Sequence, residues 1–130
     1  MTPKNQRTKD CTAADRAGRL TQAEGFWHDA EDLQELGEAS NNSIVTLYVH
    51  AGIAAADAIC CAKLGEYSSS ANHAEAITLL EKADASLATS LGRLVGMKTA
   101  AGYGASPMSA QRMSTARMAA EKLVLAARAL

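Results

Sequence analysis

His50, Ala54 and Asp57 fall at i, i+4 and i+7 of one long apolar stretch, IVTLYVHAGIAAADAICCAKLGE, running from Ile44 to Glu66. On a helix that spacing puts the imidazole and the carboxylate on one face. Such a pair could work as an acid and a base, or supply part of a metal site. Metal sites in helical bundles draw further ligands from facing helices, commonly as a repeated Glu-x-x-His. The chain holds only His28, His50 and His73 and repeats no such motif, so no metal and no cofactor is expected. A buried carboxylate needs a partner, and Asp57 is expected to pair with an Arg, Lys or Tyr of a neighbouring helix and so fix register.

The remaining reactive residues carry weaker signals. His28 and Asp29 open an acidic stretch with Glu31, Asp32, Glu35 and Glu38, which reads as a solvated helix face. Cys11, Cys60 and Cys61 are odd in number and match neither a disulfide framework nor a zinc pattern, which points to reduced thiols in a cytoplasmic protein. Cys60 and Cys61, among alanines, read as small hydrophobes without a basic neighbour to activate them. Gly102 and Gly104 flank Tyr103, but a bare GxG with no strand before it is no phosphate loop. Charge is distributed unevenly: up to residue 92 there are 7 Lys/Arg against 13 Asp/Glu, and from Arg93 onward 6 against Glu121 alone. Arg93, Lys98, Arg112, Arg117, Lys122 and Arg128 would either face phosphates and acidic partners or pair with the acidic first helix.

Helices must position these groups. Alanine makes up about a fifth of the 130 residues, few are β-branched or aromatic, and no stretch alternates with period two for long. Residues 1–10 read as a flexible polar tail and 11–130 as one helical domain. Thr12 with Asp15 resembles a capping box, opening a helix to about Leu36, with Leu20, Ala23, Phe26, Trp27, Ala30 and Leu33 inward and Gly37 as its stop. Asn41, Asn42 and Ser43 are N-cap candidates for the second helix, which ends near Gly65. After the serine link 68–70, Asn72 caps a third helix that either continues to Ala101 or breaks near Asp84 to Ser86. GYGASP forms a turn, and Ser106 with Pro107 is expected to start the last helix.

That helix carries Met113, Ala116, Ala120, Leu123, Ala127 and Leu130 inward. Met118 and Leu125 lie opposite, an apolar strip fit for a homodimer. The fold class is therefore all-α, an antiparallel four- to five-helix bundle. Residues 44–62 are nearly long enough to span a bilayer, but His50 and Asp57 inside them argue for a buried bundle helix and no membrane role. The N-terminus has no apolar run of the signal-peptide kind.

The segments YVHAGIAAADAICCAKLGE, NHAEAITLL and LGRLVGMKTAAGYGASPMSAQRMSTARMAAEKLV resemble HEPN domains, over about residues 15 to 128. Asp57 stands where that family often has an aspartate, and Leu91, Leu94, Lys98, Ala101, Tyr103 and Ser106 follow its later layout. The resemblance implies a helical bundle linked to RNA cleavage, nucleotide binding or toxin–antitoxin pairs. The family's ribonucleases use an Arg followed after a short gap by a His, to steady phosphate charge and move the 2′-hydroxyl proton. This chain has Lys98 and Tyr103 at the matching place. Lysine lacks the guanidinium fork, and tyrosine is a poor base at neutral pH. The expectation is a non-catalytic module binding RNA, a nucleotide or a protein through a groove beside Asp57, Lys98, Tyr103, Arg112 and His50. The alternatives are a metal-independent ribonuclease with a degenerate site and a purely structural dimerising bundle.

Overall fold

The structure, a computed structural model, describes residues 7–130. Among these are the helices α1 (Ala13–Leu36), α2 (Asn41–Leu64), α3 (His73–Ala83), α4 (Ala85–Tyr103) and α5 (Ala110–Arg128), and the short strands β1 (Thr8–Asp10) and β2 (Glu66–Ser68). It is an all-α bundle with a small two-stranded ladder at one end. The strands run antiparallel and pair Thr8 with Ser68, Lys9 with Tyr67 and Asp10 with Glu66. Part of the expected flexible tail is therefore ordered, and its residues 1–6 lie outside the described residues.

The bundle is organised around α2. Its small side chains let α1, α3, α4 and α5 all approach it, and thirteen of its residues, from Ile44 to Cys61, are buried. Among the described residues it is the one helix long and apolar enough to cross a membrane, yet 72% of its most apolar window is buried inside the bundle. That is the position of a core helix. The side-chain pairs Arg19–Asp57, Phe26–His50 and Trp27–Tyr48 descend in step, so α1 runs antiparallel to α2. Glu24–Arg128 and Glu31–Arg117 fix α1 against α5 in the same sense.

Helix ends follow local chemistry. Thr12 and Asp15 form the capping box, and Gly37 and Gly65 close α1 and α2 with left-handed backbone. Asp84 is both the last cap of α3 and the first of α4, its carboxylate accepting from the Ser86 backbone N–H and hydroxyl, so the third and fourth helices are separate. Two expected caps are corrected. Ser40 caps α2, because Asn41 and Asn42 turn away to bind the Met108 backbone: Asn41 Nδ2 donates to its carbonyl at 3.0 Å, and Asn42 Oδ1 accepts its N–H at 2.8 Å. This clamp, with Met108 buried, keeps Ser106 and Pro107 outside the helix, and Ser109 caps α5 instead.

The cysteine expectation is also corrected. Cys11 and Cys61 form a disulfide, while Cys60 stays a free, buried thiol. The bond joins the end of β1 to the last turn of α2, a juxtaposition created only by the fold. In α5, Ala116, Ala120, Leu123 and Ala127 are buried as expected and Met113 is half-buried, whereas Leu130 lies beyond the end of the helix and is exposed rather than inward. Met118 and Leu125 face outward, 67% and 53% exposed.

Gly52 measures how tightly α2 is held. A Cβ there would collide with the Leu94 side chain and stand 3.3 Å from Leu123, both wholly buried. Gly52→Ala is expected to lower stability by about 1–3 kcal/mol despite its better helix propensity. Urea denaturation of the two proteins checks this, and an unchanged midpoint would refute the tight packing.

Candidate functional site

Asp57 leaves the core on the side of α2 that faces α1 and β2. Its carboxylate lies 3.8 Å from the Arg19 guanidinium, the partner that its burial demanded. Burial raises its pKa to about 6, and Arg19 pulls it down without reversing the shift. Arg19 also lies over the Tyr67 ring at 4.9 Å, a cation–π contact that ties α1 to β2. Lys9, Arg19, Tyr67, Ser68, Ser69, Ser70 and His73 surround Asp57 in an open cleft of about 300 Å³. Behind it is a void of about 10 Å³ against Cys60, Ser68 and His73. Such a void has room for about one water molecule. The Ser68 hydroxyl is buried between these spaces and has no hydrogen-bond partner among the described residues. Burial, then Asp57 and Glu66, push the Cys60 thiol up to about 12, which keeps it protonated.

A second group adjoins the cleft through His73, at the start of α3. The Lys98 ammonium lies 2.8 Å from His73 Nε2. An ammonium has no lone pair, so it donates, and that imidazole nitrogen is unprotonated. Burial, and after it the Lys98 charge, hold both His50 and His73 below the ordinary histidine range, and His73 also feels His50. His50 packs on Phe26 with ring centroids 5.4 Å apart. The fold thus joins α2, α3 and α4 in a cluster of two neutral imidazoles and one ammonium.

The expected groove is only partly assembled. Asp57 lines the cleft, and Lys98 and His50 stand beside its His73 wall. Tyr103, by contrast, is 87% exposed at the far end of α4, and Arg112 is exposed in the first turn of α5. Neither lines the Asp57 cleft. Much of the basic last third is paired internally. Arg117 bonds Glu31 at 2.7 Å and reaches Glu121 at 3.6 Å, Arg128 bonds Glu24 at 3.1 Å, and Lys122 donates to the Ser86 carbonyl. Arg117 also covers the Trp27 ring, and Tyr48 donates to Glu31 at 2.8 Å. Burial would raise Glu31, but the bonds from Arg117 and Tyr48 overcome it and hold the carboxyl below its usual range.

Sequence reasoning missed Lys9, Arg19, Tyr67 and Ser68–Ser70 as neighbours of Asp57. The demand for an Arg, Lys or Tyr partner admitted Arg19, and nothing in the spacing selected it. No protein-family model matches the chain, and no curated protein matches it.

Two titrations follow. His50 and His73 are expected to titrate below 6.5 by NMR, and Lys98→Ala to move both upward; values unchanged in the variant would contradict the Lys98 coupling. Ionised Asp57 is disfavoured by burial, so its contribution to stability falls as pH rises from 3.8 through about 6. Asp57→Asn should therefore raise the unfolding free energy above that window, by on the order of 1–3 kcal/mol, and lose the gain in acid, as urea denaturation at the two pH values would show. Equal effects at both ends would exclude Asp57 titration as the cause.

Proposed function

We propose that the protein is a non-catalytic, HEPN-like binding module that takes a phosphate-bearing ligand of the nucleotide class in the Asp57 cleft. The observation that carries this reading is the wall of the cleft. Lys9, Arg19 and three successive serine residues converge there, and the buried Ser68 hydroxyl lacks a partner among the described residues. Lys9 and Arg19 supply charge for a phosphate, and serine hydroxyls supply hydrogen bonds. About 300 Å³ lies at the small end of ligand sites. Asp57 balances one of the two cations, and its raised pKa lets it give up that charge when an anion enters. The first turn of α3 adds the positive end of a helix dipole beside His73.

A second reading, a metal-independent ribonuclease, draws on the Lys98–His73 contact with His50 close by. There an unprotonated imidazole would take the 2′-hydroxyl proton, and the ammonium would steady the phosphate. Tyr103 has no part in that version. A homodimer is supported by the exposed Met118 and Leu125, on one face of α5. Location follows the disulfide: oxidising surroundings keep Cys11–Cys61, and the cytoplasm expected from the sequence would tend to open it.

Binding is tested by titrating the oxidised protein into a fluorescent adenosine nucleotide, with pyrophosphate as competitor and salt varied. The expected result is saturable binding, displaced by pyrophosphate, weakened by salt and reduced about tenfold or more in Lys9→Ala, the loss of one charged hydrogen bond. No binding even at low salt would remove the reading. Single-stranded RNA cut in chelator, with cleavage lost in His73→Ala, would transfer the function to the ribonuclease.

A further inference from the structure

The Cys11–Cys61 disulfide stands two residues along the chain from Lys9, through which the N-terminal segment reaches the cleft. From Arg7 to Cys11 the chain forms a strap across the end of the bundle. It is held by the three-residue ladder to β2, by Cys11 N–H donating to the Gly65 carbonyl at 2.9 Å, and by Ser69 N–H donating to the Arg7 carbonyl at 3.0 Å. A two-stranded ladder this short is marginal without further support. The disulfide is that support, anchoring the strap to the last turn of α2. The strap carries Lys9 into the wall of the cleft, and its partner strand carries Tyr67 and Ser68.

We propose that Cys11–Cys61 is a redox latch on the cleft: the oxidised strap completes the ligand site, and reduction by an external dithiol releases the strap and lowers affinity. This rests on the phosphate-binding reading of the same cleft. Cys11 is only half-buried, whereas Cys61 is 7% exposed, so the incoming thiolate attacks Cys11 Sγ. The sulfur–sulfur bond breaks, Cys61 leaves as a thiolate and takes up a proton, and a mixed disulfide joins Cys11 to the dithiol. The second thiolate of the dithiol then displaces Cys11, which is protonated in turn. Two electrons pass from the dithiol to the protein, leaving two cysteine thiols and one oxidised dithiol. Reoxidation reverses each step.

Cys60 does not short-circuit the latch. It adjoins Cys61 in sequence but is 3% exposed and kept in the thiol form, so it is a poor nucleophile toward the bond. The helical core is independent of the strap in its packing, since the buried cluster runs from Ala23 to Ala127 and contains no residue of β1.

The test compares oxidised protein with the same protein in excess dithiothreitol, following hydrogen exchange at the Cys11 and Ser69 amides, far-ultraviolet circular dichroism and affinity for the fluorescent adenosine nucleotide. Expected on reduction are lost protection at both amides, retained helical signal and an affinity about tenfold lower, all restored by reoxidation. Lys9→Ala should weaken binding by the oxidised protein and remove most of its redox dependence, and Cys11→Ser should behave as the reduced form. Retained amide protection, equal affinity in both states, or unfolding of the whole bundle would each overturn the latch, the last making the bond a plain structural staple. If the oxidised protein does not bind the nucleotide, the phosphate-binding reading fails, and the two amides alone decide whether the strap is released.

Discussion

Burial of α2 on nearly every side is the constraint from which the rest of the molecule follows. A helix carrying Ala51, Gly52, Ala54, Ala55 and Ala58 in succession has little apolar bulk of its own to cover itself. It is stable only when neighbours come close, and close approach fixes how they sit. Gly52 receives Leu94 and Leu123, Tyr48 receives Trp27, and Asp57 must meet Arg19. Polar groups on such a helix have few exits. His50 and Asp57 both emerge at its margins, where α1, α3 and α4 leave space.

The two polar regions that result behave differently. Around Glu31, Arg117 and Tyr48 both donate to the carboxylate, which is held ionised, and Arg117 also covers the Trp27 ring. Such a network knits α1, α2 and α5 together and leaves little chemistry free. Around Asp57 the balance is incomplete. The ion pair is long, the carboxylate is pushed toward its protonated form, and Ser68 has an unmatched hydroxyl. A site with unmet polar capacity and a changeable charge is better suited to a ligand than to scaffolding. This contrast is why the binding proposal lies at the cleft and leaves the basic last helix aside.

Much of the architecture was legible in the chain, for reasons that act locally. The capping box at Thr12 and the Asn72 cap depend on side chains bonding backbone a few residues away, and the stops at Gly37 and Gly65 on the left-handed backbone that glycine adopts freely. Inward stripes on α1 and α5 follow from helical periodicity. Errors arose where a distant group claimed the same atoms. Asn41 and Asn42 have good cap chemistry, but Met108 draws them off, and that contact moves the start of α5 from Ser106 to Ser109. Cys11 gave no sign of its partner, because 50 positions separate the two cysteines and only the turn of the chain back along α1 and α2 unites them.

The sequence by itself determined the helical class, most helix boundaries, the burial of α2 and the need of Asp57 for an Arg, Lys or Tyr partner, since propensity, periodicity and desolvation act within a helix or on one residue. Tertiary structure alone decided that the partner is Arg19, that Lys9 and the three serine residues share its cleft, that Lys98 meets His73, and that Tyr103 and Arg112 stand apart. Each of those juxtapositions depends on the register between elements, which is set by packing of complementary shapes and by no spacing along the chain.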